Sequence, residues 1–108
     1  MSDDLYTLSY VSRCKLSGSG EEIAAQLAAI VAAARRNNSR NGITGALLYS
    51  DHCFEQVLEG HREAIEDTFE RISTDRRHRE ITIVHYATIA QRSFEGMALV
   101  FSGDPSAT

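Results

Sequence analysis

Cysteine, histidine pairs, proline and positive charge are all scarce in this chain, and each scarcity removes a class of function. The two cysteines, Cys14 and Cys53, stand in no metal-ligand spacing and form no redox pair in sequence. Two free thiols in a reducing cytoplasm is the reading that follows. The four histidines, His52, His61, His78 and His85, are scattered, with no pair at metal spacing, which argues against a metal site. The formal net charge is −4, and no basic run exceeds the four residues 76–79. A nucleic-acid surface and attachment to an anionic membrane are both disfavoured. No apolar run approaches the roughly 18 residues of a membrane span. The acidic start, Met1-Ser2-Asp3-Asp4, lacks the positive and apolar regions of a signal peptide, so a cytoplasmic location is expected. Gly18-Ser19-Gly20 is too short to count as a phosphate-binding loop. The single proline falls in the last seven residues, and there is no internal repeat.

What remains is an ordinary globular composition, 43% hydrophobic and 24% charged over 108 residues. That length makes one domain, with one modest core. The chain is organised around residues 41–60. Two strand-forming runs there, 43–49 and 53–58, flank a polar break, Ser50-Asp51-His52, and read as a β-hairpin. Along the second run Phe54, Gln56 and Leu58 share one face, and Cys53, Glu55 and Val57 share the other. Gln56 is therefore an amide between two large apolar neighbours on the face that looks most like core. An unpaired buried amide costs roughly 1–3 kcal/mol, so something polar should meet it.

Around the hairpin, residues 5–12 alternate as a first strand, and residues 14–20 read as a flexible loop in which Ser19 or Gly20 can cap a helix. That helix is expected over 21–36, with Ile23, Leu27, Ile30, Val31 and Ala34 as its apolar stripe. Continuing the stripe by a turn lands on Asn37 and Asn38, which either stop the helix or place two amides at the rim of a cleft. A second helix is expected over 63–74, with Ile65, Phe69 and Ile72 facing the core and cations following it. A fourth strand is expected over 80–90, with Ile81, Ile83 and His85 on one face and Thr82, Val84 and Tyr86 on the other. After a turn at 91–93, a fifth strand is expected over 94–101, interrupted by Gly96, and 102–108 reads as a flexible tail or the start of a linker. This order predicts an α+β, ferredoxin-like sandwich, a five-stranded mixed sheet with two helices on one face. The first and third strands would lie side by side, pointing Tyr10 and Gln56 at the cleft between the helices.

Tyr10, Gln56, Asn37 and Asn38 offer hydrogen-bond donors and acceptors but no strong nucleophile or general base. Such a set suits a flat heterocycle with imide edges better than it suits hydrolysis. Glu55 and Glu59, four residues apart on one strand, read as solvent-facing or capping groups. Tyr6 and Tyr49 read as ordinary strand aromatics, and His85 as a satisfied structural residue.

The chain resembles the BLUF domain, the bacterial sensor of blue light using flavin, over nearly its whole length. The resemblance is carried by Leu8-Ser9-Tyr10-Val11-Ser12, by Asn38 followed by Ile43-Thr44-Gly45-Ala46-Leu47-Leu48-Tyr49, by Phe54-Glu55-Gln56-Val57-Leu58-Glu59-Gly60, and by Arg71-Ile72 with Asp75-Arg76-Arg77-His78. It implies a non-covalently bound flavin between the two helices, FAD in the first place, with FMN or riboflavin as alternatives. Tyr10 matches the redox-active tyrosine and Gln56 the glutamine that bridges it to the flavin. Asn38 matches the asparagine bonded to the ring, Asn37 a neighbouring ring contact, and Arg77 and His78 positions near the pyrimidine end or side chain. By the resemblance, blue light draws an electron and a proton transiently from Tyr10, and Gln56 then rotates or tautomerises. A tyrosine with a reference pKa of about 10 is neutral at pH 7 and can give both together. An amide carries donor and acceptor on one group, so turning it rewires a network without net chemistry.

One departure concerns the last strand, where the family reads Phe, two residues, Trp, one residue, Met. Here Met97 holds the tryptophan position and Leu99 the methionine position, and the chain contains no tryptophan. Flavin binding and the spectral change should survive, while Met97 and Leu99 put the coupling to output in question. The resemblance implies a photosensory domain over 1–101, without enzymatic turnover, passing its signal to a downstream effector protein or domain. The chain ends soon after this strand, as a sensor module without effector or trailing helices would, and a bare sheet edge would favour a homodimer. The competing reading is a ferredoxin-like regulatory domain for another small ligand, which would be colourless. An acylphosphatase-like hydrolase is disfavoured, because no arginine-bearing glycine loop follows the first strand.

Overall fold

The computed structural model describes residues 4–14, 18–50, 53–74 and 78–101. The expected tail at 102–108, and parts of the loop at 14–20 and of the turn at 50–52, lie outside these residues. Strand β1 (Leu5–Cys14) is followed by helix α1 (Gly20–Asn41), strands β2 (Thr44–Ser50) and β3 (Cys53–His61), helix α2 (Arg62–Ser73), and strands β4 (His78–Ile89) and β5 (Met97–Phe101). The sheet order is β4-β1-β3-β2-β5. The first four form an antiparallel sheet, and β5 adds along β2 in the parallel sense. Each helix connects two strands that run parallel with a third between them, the split βαβ arrangement of ferredoxin-like folds.

Helix α1 starts where the sequence offers a cap. Ser19 accepts the backbone N–H of Glu22, and the Glu22 carboxylate reaches back to the N–H of Ser19, closing a capping box. The helix does not end at residue 36. It runs five residues further, and Gly42 closes it in the left-handed conformation at φ 70°. The N–H groups of Gly42 and Ile43 both reach the Asn38 carbonyl, the latter at 2.8 Å. This Schellman-type ending satisfies the last carbonyls and holds the Asn38 backbone in place. The two asparagines therefore continue the helix, correcting the reading in which they stop it.

Both helices cover the same face of the sheet, and the core beneath them is split. Under α1, Ile23, Leu27 and Val31 pack on Leu47, Tyr49 and Phe54. The other cluster gathers Leu8, Tyr10, Ile43 and Leu58 with Ile65 of α2. Phe54 belongs to one cluster and Leu58 to the other, so Gln56, between them on the same face of β3, stands at the seam.

Strand β4 departs from the expected alternation. Tyr10 pairs with Ile83 while Ser9 pairs with His85, leaving Val84 as an extra residue, and a second shift falls between Val11 and Arg13. Near the second shift Glu80 adopts φ 53° and its carboxylate meets Arg13 at 2.8 Å. Each extra residue reverses the order of faces beyond it. Tyr86 thus stands opposite Leu8 and Ile83 opposite Tyr10, while His85 is exposed opposite Ser9. Strand β5 begins after Gly96, so Phe94 belongs to the preceding link.

Candidate functional site

The seam opens into a cleft of about 140 Å³, partly open to solvent. Its α1 wall is Ile30, Ala33, Ala34, Asn37 and Asn38, positions i, i+3, i+4, i+7 and i+8 of one helical face. Thr68, Arg71 and Ile72, at i, i+3 and i+4, form the α2 wall, and Leu47 and Gln56 form the floor. The two alanines keep the α1 wall thin, and Leu47, Ile30 and Ile72 make the walls apolar. A flat ring could slide between such helices with its polar edge toward the amides.

Strand register positions the floor. Tyr10, Gln56 and Leu47 are cross-strand partners on β1, β3 and β2, forming one row across the sheet. Tyr10 is fully buried and does not line the cleft. Its ring meets the edge of Phe69 at a centroid separation of 5.7 Å, and its hydroxyl donates to Gln56 Oε1. Gln56, which lines the cleft, therefore links this buried phenol to it. The polar partner expected for the buried amide is Tyr10.

Asn38 is 3% exposed, and its Nδ2 is buried without a hydrogen-bond partner among the described residues. A buried amide donor without an acceptor is costly in a native fold. Its position on the cleft wall makes it a donor aimed at whatever occupies the cleft. A flavin fits: its ring is flat and apolar on both faces, and its pyrimidine edge carries carbonyl acceptors for donors such as Asn38 Nδ2. Asn37 lines the same wall but is exposed, which places it at the rim.

The sequence reading overlooked Ala33, Thr68 and Arg71 as walls. Their signal was available in the i, i+3, i+4 spacing of 68, 71 and 72, which borders the apolar stripe through Phe69. Thr68 is buried and accepts from Arg71 Nη2 at 3.4 Å, turning that guanidinium along the cleft mouth. Arg77 lies outside the described residues, as do the side chains of His78, Met97 and Leu99. By backbone register Met97 pairs with Gly45 and Leu99 with Leu47, one strand from Gln56.

Glu59 does not face solvent. It is 2% exposed and receives Thr44 Oγ1, Ser93 N–H and Phe94 N–H on its carboxylate. Among the described residues no group of three or more His, Cys, Asp or Glu could hold a metal, and no helix is long and apolar enough to cross a membrane.

Comparison with known proteins agrees with this geometry. The family model described as BLUF, sensors of blue-light using FAD, matches residues 5–100. The beta subunit of a photoactivated adenylate cyclase from Euglena gracilis is 37% identical over 90 residues, 83% of this chain and 10% of the relative. The chain thus spans about a tenth of the curated relatives it matches first. The dark-state structure of BlrB, a BLUF protein, superposes with a TM-score of 0.84 at 38% identity, covering 94% of this chain and 75% of that one. A bacterial light-regulated adenylyl cyclase superposes with a TM-score of 0.79 at 32% identity, covering 90% of this chain and 28% of that one.

Proposed function

This chain belongs to the BLUF family of flavin-binding blue-light sensors, and we propose that its sensing step is a rearrangement of the hydrogen bond from Tyr10 to Gln56 at the floor of the cleft. The observation that carries this reading is the Tyr10 hydroxyl donating to Gln56 Oε1, with Gln56 itself on the cleft floor. A flavin bound there supplies the absorption of blue light and a transient electron acceptor.

Tyr10 holds its proton at Oη, facing the amide oxygen of Gln56. A phenol with the ordinary pKa of about 10 carries its proton at pH 7, so loss of an electron and loss of that proton are coupled along the same hydrogen bond. Turning the Gln56 amide end for end exchanges acceptor for donor toward Tyr10 and donor for acceptor toward the cleft. The electron and proton return to Tyr10, and the altered amide orientation is what persists. Phe54 and Leu58 on either side of Gln56 restrict it to a few rotamers. Asn38 supplies a buried donor to the ring edge, Asn37 a rim contact, and Arg71 a cation at the mouth where carbonyl oxygens would lie. Arg77 and His78 complete the cofactor-binding set in this reading. Apolar walls exclude water, which strengthens each of these hydrogen bonds.

FAD is the flavin of this reading, and the output passes to an effector protein or a further domain. The light-regulated cyclases whose segments match this chain support that direction. Met97 and Leu99, on the strand beside β2, are the residues through which the change would leave the site. A second copy pairing along a sheet edge gives a homodimer, and the module acts in the cytoplasm without turnover.

The test is an absorption spectrum of the purified protein reconstituted with FAD, in the dark and under blue light. A small reversible red shift of an intact oxidised-flavin band is expected. Tyr10→Phe and Gln56→Leu should keep the flavin and lose the shift. Retention of the full shift in both variants would refute the assigned roles, and a protein that stays colourless with added flavin would return the chain to another ligand.

A further inference from the structure

Strands β4 and β5 follow one another in the chain but occupy opposite edges of the sheet. The link between them, residues 90–96, must cross four interstrand gaps, about 19 Å at ~4.8 Å each. The eight Cα–Cα steps from Ile89 to Met97 reach roughly 26–29 Å when fully extended, so the link must run largely extended. Its middle is pinned. Glu59 Oε2 accepts the N–H of Ser93 at 2.8 Å, and Oε1 accepts that of Phe94 at 3.0 Å. Arg92 donates to the Glu59 carbonyl at 3.0 Å and to Thr44 Oγ1 at 2.9 Å, and Thr44 in turn donates to Glu59 Oε1 at 3.1 Å. Just beyond, Gly45 N–H reaches the Gly96 carbonyl at 2.8 Å, where β5 joins β2. A buried carboxylate thus ties β3, β2 and the link into one knot.

Every group aimed at this carboxylate is a donor, and an ionised carboxylate is an acceptor at both oxygens. The site is built for two acceptor oxygens held in that shape. Strand β5 has five residues and pairs with β2 alone, and parallel pairing is slightly weaker per residue. Its attachment therefore depends on what holds its leading end. Its register sets Leu99 opposite Leu47, the cross-strand neighbour of Gln56.

We propose that Glu59 is a positioning residue for the light response: its buried carboxylate latches the β4–β5 link to the sheet and fixes β5 beside β2, so that a change at Gln56 reaches β5. The transmission part rests on the flavin reading above. The latch is a property of the fold and stands without it. Gln56 and Glu59 lie three residues apart on β3 and point to opposite faces, so the strand itself joins the photoactive face to the latch.

The test uses the full chain reconstituted with FAD, and the variants Glu59→Gln and Ser93→Pro, with Glu55→Gln on an exposed position of the same strand as control. Glutamine keeps the shape but turns a donor against a donor. Proline removes the Ser93 N–H and leaves Glu59 intact, so one variant serves if the other fails to fold. Backbone amide exchange over residues 90–101 is followed by mass spectrometry, dark and illuminated, beside the flavin spectrum. Hydrogen bonds to charged groups are the strong ones, so dark exchange over 93–101 should rise on the order of 10- to 100-fold in both variants and stay unchanged in Glu55→Gln. The red shift should persist in both, while the light–dark difference over 97–101, present in the parent protein, should vanish. Wild-type exchange in both variants overturns the latch. A light–dark difference that survives in them, that is absent from the parent, or a red shift lost with flavin still bound overturns the transmission. A parent protein that takes no flavin refutes the functional reading instead, and its dark exchange still decides the latch.

Discussion

Replacing Asn38 by leucine is expected to move the stability of the flavin-free protein and its flavin affinity in opposite directions. The Asn38 side chain is 3% exposed, with Nδ2 buried and unpaired among the described residues. Leaving such a donor without an acceptor costs about 1–3 kcal/mol. Leucine is of similar length, removes that penalty, and has a helix propensity better by a few tenths of a kcal/mol. Without flavin the variant should therefore be at least as stable as the parent, with a gain of up to about 3 kcal/mol, or roughly 4–8 °C in Tm per kcal/mol for a domain of this size. With flavin the donor has an acceptor, and the same 1–3 kcal/mol is lost from binding. At 1.4 kcal/mol per tenfold, the dissociation constant should rise about 5- to 150-fold. Urea unfolding of the flavin-free protein and titration of flavin fluorescence measure the two effects separately. Asn37→Leu, at an exposed rim position, should move affinity less. A flavin-free Asn38→Leu protein that is less stable by 1 kcal/mol or more, with unchanged affinity, would refute the reasoning, because Asn38 would then be a structural residue with a partner inside the fold.

Other consequences can be measured independently. Ala33→Leu projects three further carbons into the cleft from the α1 wall and should abolish flavin binding while circular dichroism and thermal unfolding stay near the parent; retained colour would place the ring elsewhere. Gly45→Ala would set a Cβ against the Val57 carbonyl oxygen on the neighbouring strand, forcing β2 and β3 apart at a cost of about 3 kcal/mol, read as a lowered urea midpoint. Burial raises the Tyr86 pKa, aided by the Glu66 charge and Tyr6 and opposed by Arg62. A raised pKa means the folded state holds the proton longer than the unfolded chain, so this contribution is complete below the ordinary value near pH ~10 and is lost as pH rises through the folded value. Urea midpoints should fall above pH ~10, and less steeply in Tyr86→Phe; an equal fall in both would assign the loss to other groups.

Much of the architecture was legible because it depends on short-range pattern. Period-two alternation marked β1, the hairpin and β4, and apolar stripes marked both helices. The position of Gln56 between Phe54 and Leu58 followed from alternation alone, and the demand for a polar partner followed from the expense of burying an amide. What alternation could not register was the pair of extra residues in β4. A bulge depends on the strand it pairs with, and the partners of β4 lie some 70 residues earlier in β1. The end of α1 was misjudged for a related reason. Two polar residues at the close of an apolar stripe look like a stop until Gly42 and Ile43 are seen closing the helix on the Asn38 carbonyl.

The sequence by itself determined the elements, their order, the fold class that this order allows, and the polar set of Tyr10, Gln56, Asn37 and Asn38. These follow from local propensity, side-chain periodicity and the chemistry of single residues. Tertiary structure alone decided that Tyr10 stands behind Gln56 rather than beside it in the cleft, that Asn38 is buried while Asn37 is not, and that Thr68 and Arg71 complete the walls. It also turned Glu59 from a surface carboxylate into the knot of the β4–β5 link. The reason is common to all four: burial and hydrogen-bond partnership belong to pairs of residues that are distant in the chain, and a pattern read along one strand or helix carries no record of what packs against it.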